Sequence, residues 1–87
     1  MNDTPFFARL SSLPEGASQM WYRNRRYLFR KSTELEGKLI KLYAEELGGT
    51  DFISANYYVS LSGGTLKPCE MPHQKVIDFI LEAALTA

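Results

Sequence analysis

The chain has 87 residues, 45% of them hydrophobic, 23% charged and 13% aromatic. That is too apolar for a disordered segment and too short for two ordinary domains, so one domain over residues 1–87 is expected. Ten basic residues balance ten acidic ones and the isoelectric point is about 6.6, whereas values above ~9 are common in dedicated DNA-binding domains.

The charge is unevenly spread. From Tyr22 to Lys41 there are seven basic residues (Arg23, Arg25, Arg26, Arg30, Lys31, Lys38, Lys41) against Glu34 and Glu36, a local excess of five that the remainder must offset. A polarised molecule of this kind can orient a partner without attracting polyanions in general. The single cysteine, Cys69, rules out an intramolecular disulfide framework. The opening MNDTPFFARLSS lacks the basic lead and apolar core of a secretory signal. No apolar run approaches the ~20 residues needed to span a bilayer. A reducing cytoplasm is the expected location, with no membrane partner.

The first element predicted is a short helix in DTPFFARLSSLPEG. Thr4 can cap it, Pro5 suits its first position, and Phe6, Phe7, Leu10 and Leu13 recur at helical spacing. Pro14 pushes Leu13 out of helical geometry, and Gly16 permits a turn.

Gln19 to Ser32 reads as a β-hairpin around Asn24. If Asn24-Arg25 is the loop, Tyr22 faces Tyr27 and Met20 faces Phe29, while Trp21, Arg23, Arg26, Leu28 and Arg30 share the other side. Arginine suits the second position of a type I′ turn poorly, because that turn needs positive φ at both central residues. A loop over Arg23 to Arg25 would instead bring Trp21, Tyr27 and Phe29 together. Both arrangements remain open at this point, and with them the side on which Trp21 lies.

STELEGKLIKLYAEELGG supports two readings. Thr33 with Glu36 forms a capping box, Glu34 and Lys38 form an i,i+4 pair, and Leu35, Leu39, Ile40, Leu42, Tyr43 and Leu47 make one broad helical stripe ending at Gly48. Against a helix, Gly37 would cost about 1 kcal/mol in its interior, and LEGK can turn the chain between strands. Periodicity favours the helix.

Phe52 to Ser60, rich in β-branched and aromatic residues, predicts a strand. Gly63-Gly64 is the expected turn, Thr65 to Lys67 the returning strand, and Pro68 its end. A last helix is predicted from about Pro72 to Leu85. Its stripe of Val76, Ile77, Phe79, Ile80, Leu81, Ala83 and Ala84 is wide enough to lie under a sheet. The expected fold is therefore α+β: an antiparallel sheet built from hairpins, with the C-terminal helix and a short N-terminal helix on one face.

The strings YAEELGG (Tyr43 to Gly49) and LKPCEMP (Leu66 to Pro72) resemble strings in small bacterial proteins of unknown function, over the second half of the chain. The resemblance implies a bacterial cytoplasmic setting and transfers no catalytic or binding residue.

Three candidate chemistries follow. MWYRNRRYLFRK, residues 20 to 31, mixes cations with aromatic rings, as single-strand binders do to meet phosphates and unstacked bases. The same residues serve equally as protein-interface anchors, or as a solvated strand face that keeps a sheet edge from aggregating. In PCEMPH, Cys69, Glu70 and His73 lie near a helix entrance, where a thiolate gains some stabilisation. No third residue orients the pair, however, and such a cysteine is commonly buried filler. One cysteine and one histidine cannot close a zinc site. Glu45, Glu46 and Asp51 could meet a cation or a basic partner, though an exposed helix end and a turn explain them as well. LGGTD and LSGGTL lack the lysine and spacing of a phosphate loop, so no cofactor is expected.

The reading favoured is a small non-enzymatic binding module acting by protein–protein contact, with a partner or as a homodimer. Its expected contact residues are Trp21, Arg23, Arg25, Arg26, Tyr27 and Arg30. A nucleic-acid binder using the hairpin is second, and an enzyme built on Cys69 and His73 third.

Overall fold

A computed structural model describes residues 4–61 and 63–86. The first helix, α1 (Pro5–Ser12), starts as its sequence predicts: the Thr4 hydroxyl accepts the Phe7 amide at 3.1 Å and Pro5 opens the first turn. Leu13 is extended, as the residue before a proline should be. Phe6, Leu10 and Leu13 are buried.

Strands β1 (Gly16–Tyr22) and β2 (Arg25–Glu34) form the expected hairpin. Its loop is neither of the two anticipated. Tyr22 pairs with Arg25 and Trp21 with Arg26, which leaves Arg23-Asn24 as the two central residues, both at positive φ (50° and 66°). This is the type I′ requirement, met by an arginine followed by an asparagine. The register differs from the Asn24-Arg25 arrangement by an even number of residues, so the partition of faces is unchanged. Met20, Tyr22, Tyr27 and Phe29 are buried, and Trp21 lies on the opposite side with Arg26, Leu28 and Arg30.

The favoured helix over residues 33–47 is not formed. The chain turns through Leu35, Glu36 and Gly37, all at positive φ, with the Gly37 amide donating to the Glu34 carbonyl at 3.2 Å. It then runs as β3 (Leu39–Glu46). Tertiary pairing overrides the helical stripe, because Ile40, Leu42 and Ala44 alternate inward and continue the apolar face of β2. Thr33 does not cap a helix either. Its amide and hydroxyl both meet the Glu15 carboxylate.

Strand β4 (Phe52–Ser60) matches its prediction, and β5 (Gly63–Pro68) ends at the proline. Gly63 and Gly64 do not make the turn, because they already pair with Ser60 and Val59. Gly64 is needed for space: a Cβ there would overlap the Tyr57 hydroxyl. The last helix, α2 (His73–Glu82), is shorter than expected. Ala83 is extended, and Ala84–Leu85 forms a short strand, β6, beside Met20 and Trp21 of β1.

The strands form one antiparallel sheet in the order β5-β4-β3-β2-β1-β6. Both helices pack on one face of it, so the fold is α+β as predicted. Phe79 of α2 is fully buried against Tyr22, Tyr27 and Phe29, its ring centroid 5.0, 5.2 and 6.2 Å from theirs. Leu10, Met20, Ile53, Val76 and Ile80 complete the most buried set. The helices also fasten to each other. Arg9 of α1 donates to the carbonyls of Ile80 and Ala83, at 3.3 and 2.7 Å, and so caps the C-terminal end of α2. No described helix is long and apolar enough to cross a membrane.

A candidate binding face on the uncovered side of the sheet

Side chains alternate across a strand, so each residue opposite a core position points away from the helices. Read through the strand registers, the uncovered face is ordered in rows. One row holds Arg30, Tyr43 and Ser54, and the next Ser32, Lys41, Asn56 and Lys67. Mixed rows, apolar and acidic, flank these polar ones. On one side lie Leu28, Glu45 and Phe52. On the other lie Leu39, Tyr58 and Thr65, with Glu34 opposite Leu39. Trp21 and Arg26 sit beyond Leu28, the guanidinium 5.4 Å from the indole centroid. Trp21, Tyr43, Phe52 and Tyr58 are each 39–45% exposed, with Phe52 at the strand end where the Lys75 ammonium lies 5.9 Å from its ring centroid.

The polar rows form the floor of a solvent-open depression of about 520 Å³, lined chiefly by Arg30, Ser32, Lys41, Tyr43, Ser54 and Asn56. Glu15 stands at its rim, but its carboxylate is engaged by Thr33 and lies 3.7 Å from the Lys31 ammonium. The hydrogen bonds from Thr33 hold the Glu15 carboxyl below its usual range. Lys41 lies 3.7 Å from Glu34, both side chains about half exposed, an arrangement worth ~0–1 kcal/mol. Arg30 makes no hydrogen bond or ion pair among the described residues.

The six residues expected to act together separate into three groups. Trp21, Arg26 and Arg30 share the uncovered face. Tyr27 is buried among core rings and donates its hydroxyl to Asp51 at 2.7 Å. Arg23 and Arg25 are bound to the protein's own carboxylates. Arg23 meets Glu82 at 3.3 Å and Asp78 at 3.6 Å, and Arg25 meets Glu46 at 2.8 Å. Lys31, counted with the basic cluster, points the other way. It is buried, and its ammonium donates to the carbonyls of Leu10, Ser11 and Leu13 at 2.8, 3.4 and 2.9 Å, closing the C-terminal end of α1.

The acidic group Glu45, Glu46 and Asp51 is not a helix end. Asp51 receives Tyr27 and, at 2.7 Å, Lys75 of α2, while Glu46 accepts the Asp51 amide as well as Arg25. Burial pushes the Asp51 carboxyl up, but hydrogen bonds from Lys75 and Tyr27 outweigh it, and the net displacement is downward. Burial, reinforced by the bond to Asp51, pushes the Tyr27 phenol well above its ordinary value. Glu46 and Asp51 staple the hairpin and α2 together.

Cys69 is exposed, not buried filler. Its amide continues the sheet by donating to Ser54 at 2.9 Å. Cys69 and His73 share no hydrogen bond among the described residues, and no group of three His, Cys, Asp or Glu side chains there is placed to hold a metal.

Tyr43, Phe52, Tyr58, Lys41 and Lys67 were missing from the candidate set. For β4 a signal existed: Ile53, Ala55 and Tyr57 alternate inward, so Phe52, Ser54, Asn56 and Tyr58 must face outward together. For Lys41 and Tyr43 the helical reading of the segment concealed it. Comparison with protein-family models, curated proteins and solved structures returned no match. What the fold defines is an α+β protein with helices on one face of its sheet and a ring-bearing, polar-centred surface on the other.

Proposed function

We propose that the protein is a non-enzymatic binding module that works by protein–protein contact through the uncovered face of its sheet. The observation that carries this reading is the set of four half-exposed rings, Trp21, Tyr43, Phe52 and Tyr58, on that one surface. Tryptophan, tyrosine and arginine dominate the energetics of protein interfaces, because each supplies a large contact area with few rotatable bonds or several donors. Capture from extracts of the native host, with and without nuclease, tests the reading. A protein partner retained after nuclease and lost with a Trp21→Ala/Phe52→Ala variant is expected. Equal capture by the variant would rule out the face.

A nucleic-acid role through the hairpin is the second reading, favoured by the stacking of Arg26 on Trp21. It is weakened because Arg23 and Arg25 are already neutralised by Glu82, Asp78 and Glu46. Nuclease-sensitive capture would promote it. A homodimer is the third outcome, read directly by sedimentation at two concentrations.

A further inference from the structure

We infer that the depression centred on Arg30 and Lys41 receives a carboxylate carried by an acidic, extended segment of a partner protein. This rests on the protein-contact reading above and names the partner's chemistry. Arg30 and Lys41 occupy adjacent strands and adjacent rows, a diagonal relation that separates their Cα atoms by about 7–8 Å. Two long cationic side chains at that spacing can converge on one carboxylate. Around them stand further donors: the hydroxyls of Ser32, Tyr43 and Ser54 and the amide of Asn56. Ser32 donates to Glu34 at 2.9 Å. Tyr43, Ser54 and Asn56 make no side-chain hydrogen bond among the described residues. The Arg30 guanidinium, unpaired among the described residues, presents the fork that a carboxylate fits, and the neighbouring hydroxyls and amide can each turn a donor toward it.

Two alternatives fit less well. A second copy bound face to face with its two-fold axis through the centre of the sheet would set Arg30 and Lys41 against their own counterparts, and like charges across a contact are penalised. A nucleic-acid strand needs a run of cations along its backbone. Here Arg26, Arg30, Lys41 and Lys67 are opposed on the same face by Glu34, Glu45 and Glu15, the last of which also lines the depression, an excess of only one. An acidic peptide needs only the local pair, and its other side chains can rest on the apolar members of the flanking rows, Leu28, Phe52 and Tyr58. Glu34 yields Lys41 at little cost, because their exposed ion pair is weak.

The test uses the full chain and two capped nonapeptides, one alternating glutamate with threonine and one alternating glutamine with threonine. Backbone amide shifts are followed during each titration, with a single-stranded oligonucleotide as a third arm. The expected result is saturable shifts at Arg30, Lys41 and Ser54 with the glutamate peptide. Binding should be at least tenfold weaker with the glutamine peptide, and at least tenfold weaker in Arg30→Gln and in Lys41→Gln. Both replaced side chains are exposed, and the amide spectrum of each variant reports its fold. Equal binding of the two peptides, no binding of either, or tighter binding of the oligonucleotide would overturn the inference. If partner capture were still lost in Trp21→Ala/Phe52→Ala, the carboxylate inference alone would fall. If capture survived in that variant, the contact reading itself would fall.

Discussion

Replacing Lys31 by methionine removes a buried ammonium while keeping nearly the same volume. The side chain is almost wholly inaccessible, and its nitrogen makes two short bonds, 2.8 Å to Leu10 and 2.9 Å to Leu13, with a weaker one of 3.4 Å to Ser11. Hydrogen bonds to charged groups are worth about 1.5–3 kcal/mol, and a buried acceptor left without a donor costs ~1–3 kcal/mol. The Leu13 carbonyl is orphaned, while the Leu10 carbonyl keeps the Leu13 amide at 3.3 Å and loses only its bond to the ammonium, so the two together set a loss of about 2–6 kcal/mol. Methionine recovers part of it, because an ammonium no longer has to be taken out of water. A net loss of about 2–4 kcal/mol remains, a large share of the 5–15 kcal/mol typical of a domain. At about 4–8 °C per kcal/mol for this size, the melting temperature should fall by roughly 8–32 °C. Urea unfolding followed by circular dichroism measures it, with Arg30→Met as the neighbouring control. Arg30 is exposed and without an ion pair among the described residues, so its replacement should shift stability by less than about 0.5 kcal/mol. A Lys31→Met midpoint no different from that of Arg30→Met would refute the capping role of Lys31.

Ile80→Ala should cost about 2–5 kcal/mol in the same assay, because Ile80 is fully inaccessible in the core. Cys69, being exposed, should react with a thiol reagent in the native state about as fast as a free cysteine, and protection until denaturant is added would contradict its placement. The folded-state depression of the Asp51 carboxyl means that its contribution is present above the ordinary aspartate range near pH ~4 and is lost as pH falls through the folded value. Asp51→Asn should accordingly flatten the acid limb of the stability profile. Tyr27 is raised, so its contribution is intact below the ordinary phenol value near pH ~10 and is lost above it. Tyr27→Phe should be less destabilised than wild type on going from pH 8 to pH 11.

What the sequence disclosed depended on whether local pattern and long-range pairing agreed. In α1 they did: Thr4, Pro5 and the spacing of Phe6 and Leu10 lie within one short segment, and the helix forms where they put it. In residues 33–47 they did not. A capping box and a leucine stripe describe a helix that Gly37 weakens, whereas the alternation of Ile40, Leu42 and Ala44 matters only once β2 lies alongside. That partner strand is invisible in a local window. The hairpin gave a middle case. One of its two anticipated arrangements had the faces right, because an even shift of register preserves them, but alternation did not choose between the two, and the loop needed two residues at positive φ, one of them an unexpected arginine.

The same limit explains why the candidate site was only partly found. Basic and aromatic residues crowded into twelve positions look like one surface, yet strand parity divides them between faces, and ion pairing then withdraws more. Lys31 and Tyr27 go to the core side. Arg23 reaches α2 and Arg25 reaches the end of β3, each finding a carboxylate more than twenty positions away in the chain. What is left of the basic cluster on the uncovered face is Arg26 and Arg30, and the cations that join them, Lys41 and Lys67, come from strands that no local motif connects. A chain of zero net charge thus carries a cationic centre on that face by spending several of its carboxylates on internal staples to arginines and a lysine. Breaking a staple is therefore a different perturbation from editing the face. Glu46→Gln frees Arg25 at the hairpin end, whereas Arg30→Gln removes an exposed cation that is unpaired among the described residues and should leave the fold intact.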